Sequence, residues 1–320
     1  MTITQVIGGI NGCAHGYHRV SRVLVSPSCA TPMSAELLVR SAIVLSIVLI
    51  VFGFALKSSV QDATFVFRHP SLLLRSLLAM NVLLPLFAAM LAGLFTLRPG
   101  IGVALVALAI SPVPPFLPIK QLKLGAHPAY VFGLLGATAL LAIVLAPLTV
   151  ALIGVFFSQQ FGVAPLAIAK MVGLSVLVPF ALGLIVRRSA PVFAERASSI
   201  AGKAGMLLLL VASVPLLIKL GPEMISLIGD GTVAAFVAFT VAGLAVGHLL
   251  GGPDPGDRAV LALATATRHP GVALVIATQT FPTQKVEAPA LILYLVVCAI
   301  ASAPYVQWCK RRSKKLAAAT

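Results

Sequence analysis

Acidic side chains are scarce in this chain: eight Asp and Glu stand against 23 Lys and Arg. None of the eight lies inside a long apolar run; all fall between runs or at their ends. With no carboxylate pair and no nucleophile–base pairing in the sequence, an enzyme is not expected. Charge of either sign is also thin, at 10% of residues against 59% hydrophobic. Soluble domains carry roughly a quarter charged residues, so a soluble globule is excluded. The four cysteines, Cys13, Cys29, Cys298 and Cys309, show no metal-like spacing among themselves. A zinc cluster of Cys13, His15, His18 and Cys29 is the weaker reading against an unstructured leader. No cofactor and no metal are expected.

What the chain has instead is apolar runs, near 37–56, 71–97, 99–122, 128–157, 164–186, 204–220, 231–251, 258–281 and 288–309. Several approach or exceed the roughly 20 residues a helix needs to cross a bilayer. The expected fold is therefore an all-α integral membrane protein of about nine transmembrane helices. Short connections such as Arg98-Pro99-Gly100 punctuate the runs. The net charge of +15 invites a nucleic-acid partner, but the cations sit in short loops or in the tail after Trp308. That pattern is the positive-inside bias of a chain whose partner is the lipid bilayer, with no nucleic acid.

With nine spans, thirteen Lys and Arg (among them Lys57, Arg68, Lys123, Arg187, Arg188, Arg258 and Lys310) share one side. Only Arg98, Lys219 and Lys285 fall on the other. This places the C-terminus in the cytoplasm of a cell-membrane protein and the start of the first span outside. Residues 1–33 read as a leader, since Arg19 and Arg22 precede too few apolar residues for a signal peptide. Met33 stands directly before the first span and reads as the native start. Residues 34–309 then form the transmembrane domain and 310–320 a basic tail.

Two runs are broken by proline. The third reads Ser111-Pro112-Val113-Pro114-Pro115-Phe116-Leu117-Pro118-Ile119-Lys120, and the eighth Thr265-Ala266-Thr267-Arg268-His269-Pro270-Gly271. Proline removes a backbone donor and clashes with the preceding turn. Open backbone at membrane depth survives only when buried in protein or lining a polar cavity. Breaks five spans apart lie on helices of opposite direction, as an inverted repeat requires, and such breaks point to a transporter's binding site. A loop between two re-entrant pieces is the alternative for 111–125.

The polar groups at depth are Asn81, Lys120, His248, Arg268, His269 and Gln279. An ionisable group placed there costs at least about 2.5 kcal/mol, which makes it a functional candidate. Arg268 lies at the break and either binds substrate or neutralises the carbonyls of the opposing broken helix. Lys120 either faces the site or snorkels to the interface beside Lys123. His269 binds substrate, titrates near neutral pH, or donates to a carbonyl within the core. Asn81, four residues before Pro85, faces the crossing or joins helices. His248 reads as interfacial, and Arg40, Arg75 and Lys170 as anchors. The candidate substrate-binding set is Arg268, His269, Lys120 and Asn81 with Pro112, Pro115 and Pro270.

Phe67-Arg68-His69-Pro70, Ser111-Pro112, Ala146-Pro147-Leu148 and Arg268-His269-Pro270-Gly271-Val272-Ala273 together resemble the bile acid:sodium symporter family over roughly residues 37–309. The resemblance implies panel and core domains, with two discontinuous helices crossing in the core, in the nine-span form. It also implies secondary transport of a small organic anion by alternating access. The chain resembles a divergent member that lacks most sodium ligands. Where the family reads Glu-Val-Gly-Met-Gln-Asn-Ser-Gly, this chain reads Ala264-Thr265-Ala266-Thr267-Arg268-His269-Pro270-Gly271. Its sodium-binding glutamate becomes Ala264 and its glutamine Arg268; its Ser-Asn pair falls near Leu117 and Pro118. The hydroxyl ligands of the next helix fall near Tyr130–Leu135, and a further glutamine falls at or beside Asn81. The expectation is a carboxylate or sulfonate transporter without the usual sodium coupling, with facilitated or proton-coupled transport in its place. A sodium:organic-anion symporter using backbone carbonyls, and a non-transporting sensor or scaffold, are the alternatives.

Overall fold

The computed structural model describes residues 35–156, 164–280 and 288–317. The leader, Met33, the Cys13–Cys29 cluster and Lys285 lie outside the described residues. Every regular element among the described residues is helical. In chain order they are α1 (Ala35–Ala55), α2 (Val60–Arg68), α3 (Pro70–Leu77), α4 (Leu84–Leu94), α5 (Pro99–Ile110), α6 (Leu117–Leu122), α7 (Pro128–Phe156) and α8 (Pro165–Val172). There follow α9 (Val178–Ser189), α10 (Pro191–Ser226), α11 (Thr232–Leu250), α12 (Pro255–Ala266), α13 (Pro270–Thr280), α14 (Ala288–Ala301) and α15 (Ala303–Ala317). Single π-helical turns, Leu78–Leu83 and Gly173–Leu177, join α3 to α4 and α8 to α9. Among the described residues, eight helices are long and apolar enough to cross a membrane, with α5 as a shorter apolar piece.

The boundaries correct the sequence reading in two places. The segment 57–70, read as a loop, contains α2, closed by a capping box in which Ser59 and Asp62 satisfy each other's backbone N–H. The 187–203 loop is largely the first turns of α10, which starts at Pro191 and runs for 36 residues instead of the expected 204–220. Pro215 and Pro222 lie inside that helix without ending it. In both cases polar residues hid helix from a reading based on apolar runs. The basic residues after Trp308 are part of α15 up to Ala317.

α1, α9 and α10 pack on one another as one layer, while α4, α5, α11, α12, α13 and α14 surround the two breaks. α10 turns most of its apolar surface outward, as a lipid-facing helix does. The centre is far denser. Every residue of α12 from Ala259 to Ala266 is buried, which suits a segment that neither lipid nor water can reach.

Close backbone approach makes that density possible. Gly243 and Gly247 of α11 and Gly251 just past its end recur at every fourth position and face α12. A Cβ at Gly247 would stand 2.5 Å from both Ala262 Cα and Leu261 O, and one at Gly243 would stand 2.8 Å from Ala266 Cα. Small residues at this spacing let membrane helices meet backbone to backbone. Gly247→Ala should therefore force α11 from α12 and destabilise the protein by about 1–3 kcal/mol, read as a lower melting midpoint in detergent. Gly93→Ala, whose added Cβ meets nothing within 4 Å, should not lower it.

Candidate functional site

α5 and α12 are each 12 residues long, a rise of about 18 Å, so both stop partway through a hydrocarbon layer of about 30 Å. α5 ends at Ser111, whose backbone is extended, and chain 111–116 runs to α6 with prolines at 112, 114 and 115. α12 ends at Thr267, also extended, and chain 267–269 runs to α13, which Pro270 opens. The two open stretches bond to each other. His269 N–H is shared between Pro112 O at 3.0 Å and Ser111 Oγ at 3.1 Å.

Arg268 supplies the second link. Its Nη1 donates to Ser111 O at 3.0 Å and its Nη2 donates to Met80 O. Both carbonyls are free because of proline. In α-helical register the partner of Ser111 O would be the N–H of residue 115, which is Pro115. At the π turn Leu84 N–H reaches back five residues to Ala79 O. The next donor in that register would serve Met80 O, but residue 85 is proline. One planar guanidinium thus fills two vacancies that two prolines created. The side chain is only 1% exposed. Its burial costs at least about 2.5 kcal/mol, and two charge-assisted hydrogen bonds at about 1.5–3 kcal/mol each work against that cost.

Behind the crossing, α14 presents Tyr294, Cys298 and, at its end, Ser302, four residues apart. Tyr294 Oη donates to Ala266 O, and Cys298 Sγ lies 3.4 Å from the same oxygen. Thr267 Oγ1 lies 3.7 Å from that sulfur. Lys120 does not reach outward beside the exposed Lys123; it turns in, and Nζ donates to Ser302 Oγ at 2.8 Å. Gln121 Nε2 donates to Val260 O at 2.9 Å and ties α6 to α12.

Of the expected site residues, the structure thus brings Arg268, His269 and Pro112 together at one crossing, with buried Pro115 in the same stretch and Pro270 at the head of α13. Asn81 is half-buried in the π turn next to Met80, and its amide makes no hydrogen bond among the described residues. Lys120 belongs to the α14–α15 junction. His248 pairs with Tyr305, and Gln279 Oε1 accepts from Ala164 N–H at 3.1 Å near the end of α13. Reading from sequence missed Ser111, Met80 O, Tyr294 and Cys298 as parts of the site. The four-residue stripe on α14 and Pro85 were the available signals; a free carbonyl leaves no trace in side-chain identity.

Two polar atoms at the crossing are buried without a partner among the described residues: Arg268 Nε and His269 Nε2. Val272 N lies 3.5 Å from His269 Nδ1; with that nitrogen as acceptor, the proton of a neutral ring sits on Nε2. The ring borders Gly271, where an added Cβ would meet His269 Cε1 at 3.3 Å and Met171 Cε of α8 at 2.7 Å. His269 therefore sits where the first turn of α13 faces α8.

Arg268→Gln should orphan at least one buried carbonyl, at about 1–3 kcal/mol each, and lower the melting midpoint. Arg268→Lys keeps the charge but loses the fork, and should fall between the two. An unchanged midpoint for Arg268→Gln would refute the cross-link as a stabilising element.

No curated protein matches the chain. Residues 44–225, more than half of it, match the sodium bile acid symporter family, a stretch that holds the first break and stops before the second. With the all-helical architecture and many apolar spans, this shows that the chain belongs to the sodium bile acid symporter family of multi-pass membrane transporters.

Proposed function

We propose that the protein is a secondary transporter of a small organic anion, a carboxylate or sulfonate, working by alternating access without a bound sodium ion. The observation that carries this is the guanidinium of Arg268 on Ser111 O and Met80 O, with buried Ala264 at the position where the resemblance puts the family's sodium-binding carboxylate. The C-terminal ends of α5 and α12 each present roughly half a negative charge. Together they amount to about one, which a single fixed guanidinium neutralises. A coupling ion is then unnecessary at this place, because the cation is part of the chain.

The choice of an anion follows from what is left uncompensated. The N-terminus of α13 carries a partial positive charge, and beside it lies His269 Nε2, which has no partner among the described residues. Lys120 has a hydroxyl for its partner, and no carboxylate pairs with it or with Arg268 among the described residues. These features favour negative charge in the substrate. Nine spans in an inverted repeat and a cytoplasmic C-terminus complete the reading, supported by the bias of thirteen cations to three between the two sides.

The test is uptake into proteoliposomes across a set of carboxylates and sulfonates, with external sodium replaced by choline. Uptake of at least one anion at the same rate in both media is expected, and His269→Ala should raise KM more than it lowers kcat. Uptake that needs sodium would overturn the fixed-cation reading in favour of a sodium:organic-anion symporter. Absence of flux for every anion would leave a sensor or scaffold.

A further inference from the structure

At the basic end of the molecule, away from the crossing, a cavity of about 170 Å3 opens between the end of α11, the start of α12, the α6–α7 turn and α15. That is several times the roughly 30 Å3 share of one water molecule, enough for a phosphate-sized group. His248 and Trp308 line one wall, and Tyr305 packs against both rings. The rings of His248, Tyr305 and Trp308 contact one another with centroids 5.5, 5.7 and 5.8 Å apart, and His248 Nδ1 lies 2.8 Å from Tyr305 Oη. Arg312 lies against this wall, its Cζ 5.6 Å from the Trp308 ring centre. The lining acid, Asp254, has Oδ1 committed to the N–H groups of Gly256 and Asp257, at 2.7 and 3.0 Å.

The surrounding helix is strongly one-signed. α15 carries Lys310, Arg311, Arg312, Lys314 and Lys315 and no acid. Among the described residues none of Lys310, Arg311 and Arg312 is in an ion pair. α15 follows the apolar α14 after Ser302 alone, so these cations stand where the last span leaves the hydrocarbon. A polybasic segment in that place is attracted to anionic lipid, by about fivefold in affinity per cation.

The geometry points to a site for the headgroup of an anionic membrane phospholipid, with its phosphate between Arg312 and His248 and its acyl chains beside the outward Leu249, which is 80% exposed. The aromatic wall presents Arg312 in a fixed direction, which distinguishes a built site from a diffuse basic tail. Because the cavity is walled by α11, α12 and α15, a bound headgroup would clamp the basic helix to the half-helix that ends at the crossing.

Trp308 is the one tryptophan in the chain, so its emission reports this cavity without background. Full-length protein in a neutral detergent is titrated with short-chain phosphatidylglycerol, with phosphatidylcholine of the same chain length, and with inorganic phosphate. A saturating change is expected with phosphatidylglycerol, weakened by salt, and absent with the other two. Arg312→Gln should move the midpoint about fivefold to weaker binding, and Arg312→Lys should recover most of it; midpoints, not amplitudes, are compared because Arg312 itself touches the indole. Equal responses to both lipids, a response to inorganic phosphate alone, no response, or an unchanged midpoint in Arg312→Gln would each overturn the proposal.

Discussion

The structure depends on one side chain reaching across two interrupted helices. Arg268 holds Ser111 O and Met80 O, and those two oxygens belong to segments that proline has denied their own donors. Open backbone cannot persist at membrane depth unless its polar groups find partners. The guanidinium is suited to this because its planar fork serves two acceptors at once and stays charged where an ammonium would be a point donor. The bond from His269 N–H to Pro112 O and Ser111 Oγ completes the connection between the two breaks. Proline, carbonyl and guanidinium are therefore one device.

That device requires dense surroundings. A buried guanidinium with loose neighbours would draw in water and lose its advantage, because its hydrogen bonds strengthen only where the local dielectric is low. The glycines of α11 and the alanines of α12 meet that need by letting the two backbones touch. Tyr294 and Cys298 of α14 both take up Ala266 O, the last carbonyl of α12. Packing and polar satisfaction support each other at the same few residues.

The same device bears on transport. On the proposed reading, a tethered cation at the negative helix ends leaves the opposite helix end and His269 Nε2, which has no partner among the described residues, as the positive features at the crossing. A cation that cannot dissociate also cannot carry energy from an ion gradient. Under the proposed function, a side chain in place of an exchangeable ion would keep the electrostatic balance of the crossing while removing a route to coupling.

Composition and run length alone determined that the chain is an all-helical membrane protein, since apolar stretches of this length are stable nowhere else. Pro112, Pro115 and Pro270 likewise placed the two breaks, because a missing N–H is a property of residue type and needs no tertiary context. Arg268 was visible as an anomaly, but its two possible roles stayed open in the sequence. Only the tertiary structure decided that its donors meet Ser111 O and Met80 O, that Lys120 turns inward to Ser302, and that α10 extends through residues read as loop. The reason is physical: backbone carbonyls are chemically identical along the chain, and which of them lacks a donor, and which cation can reach it, depends on how separate helices are brought together.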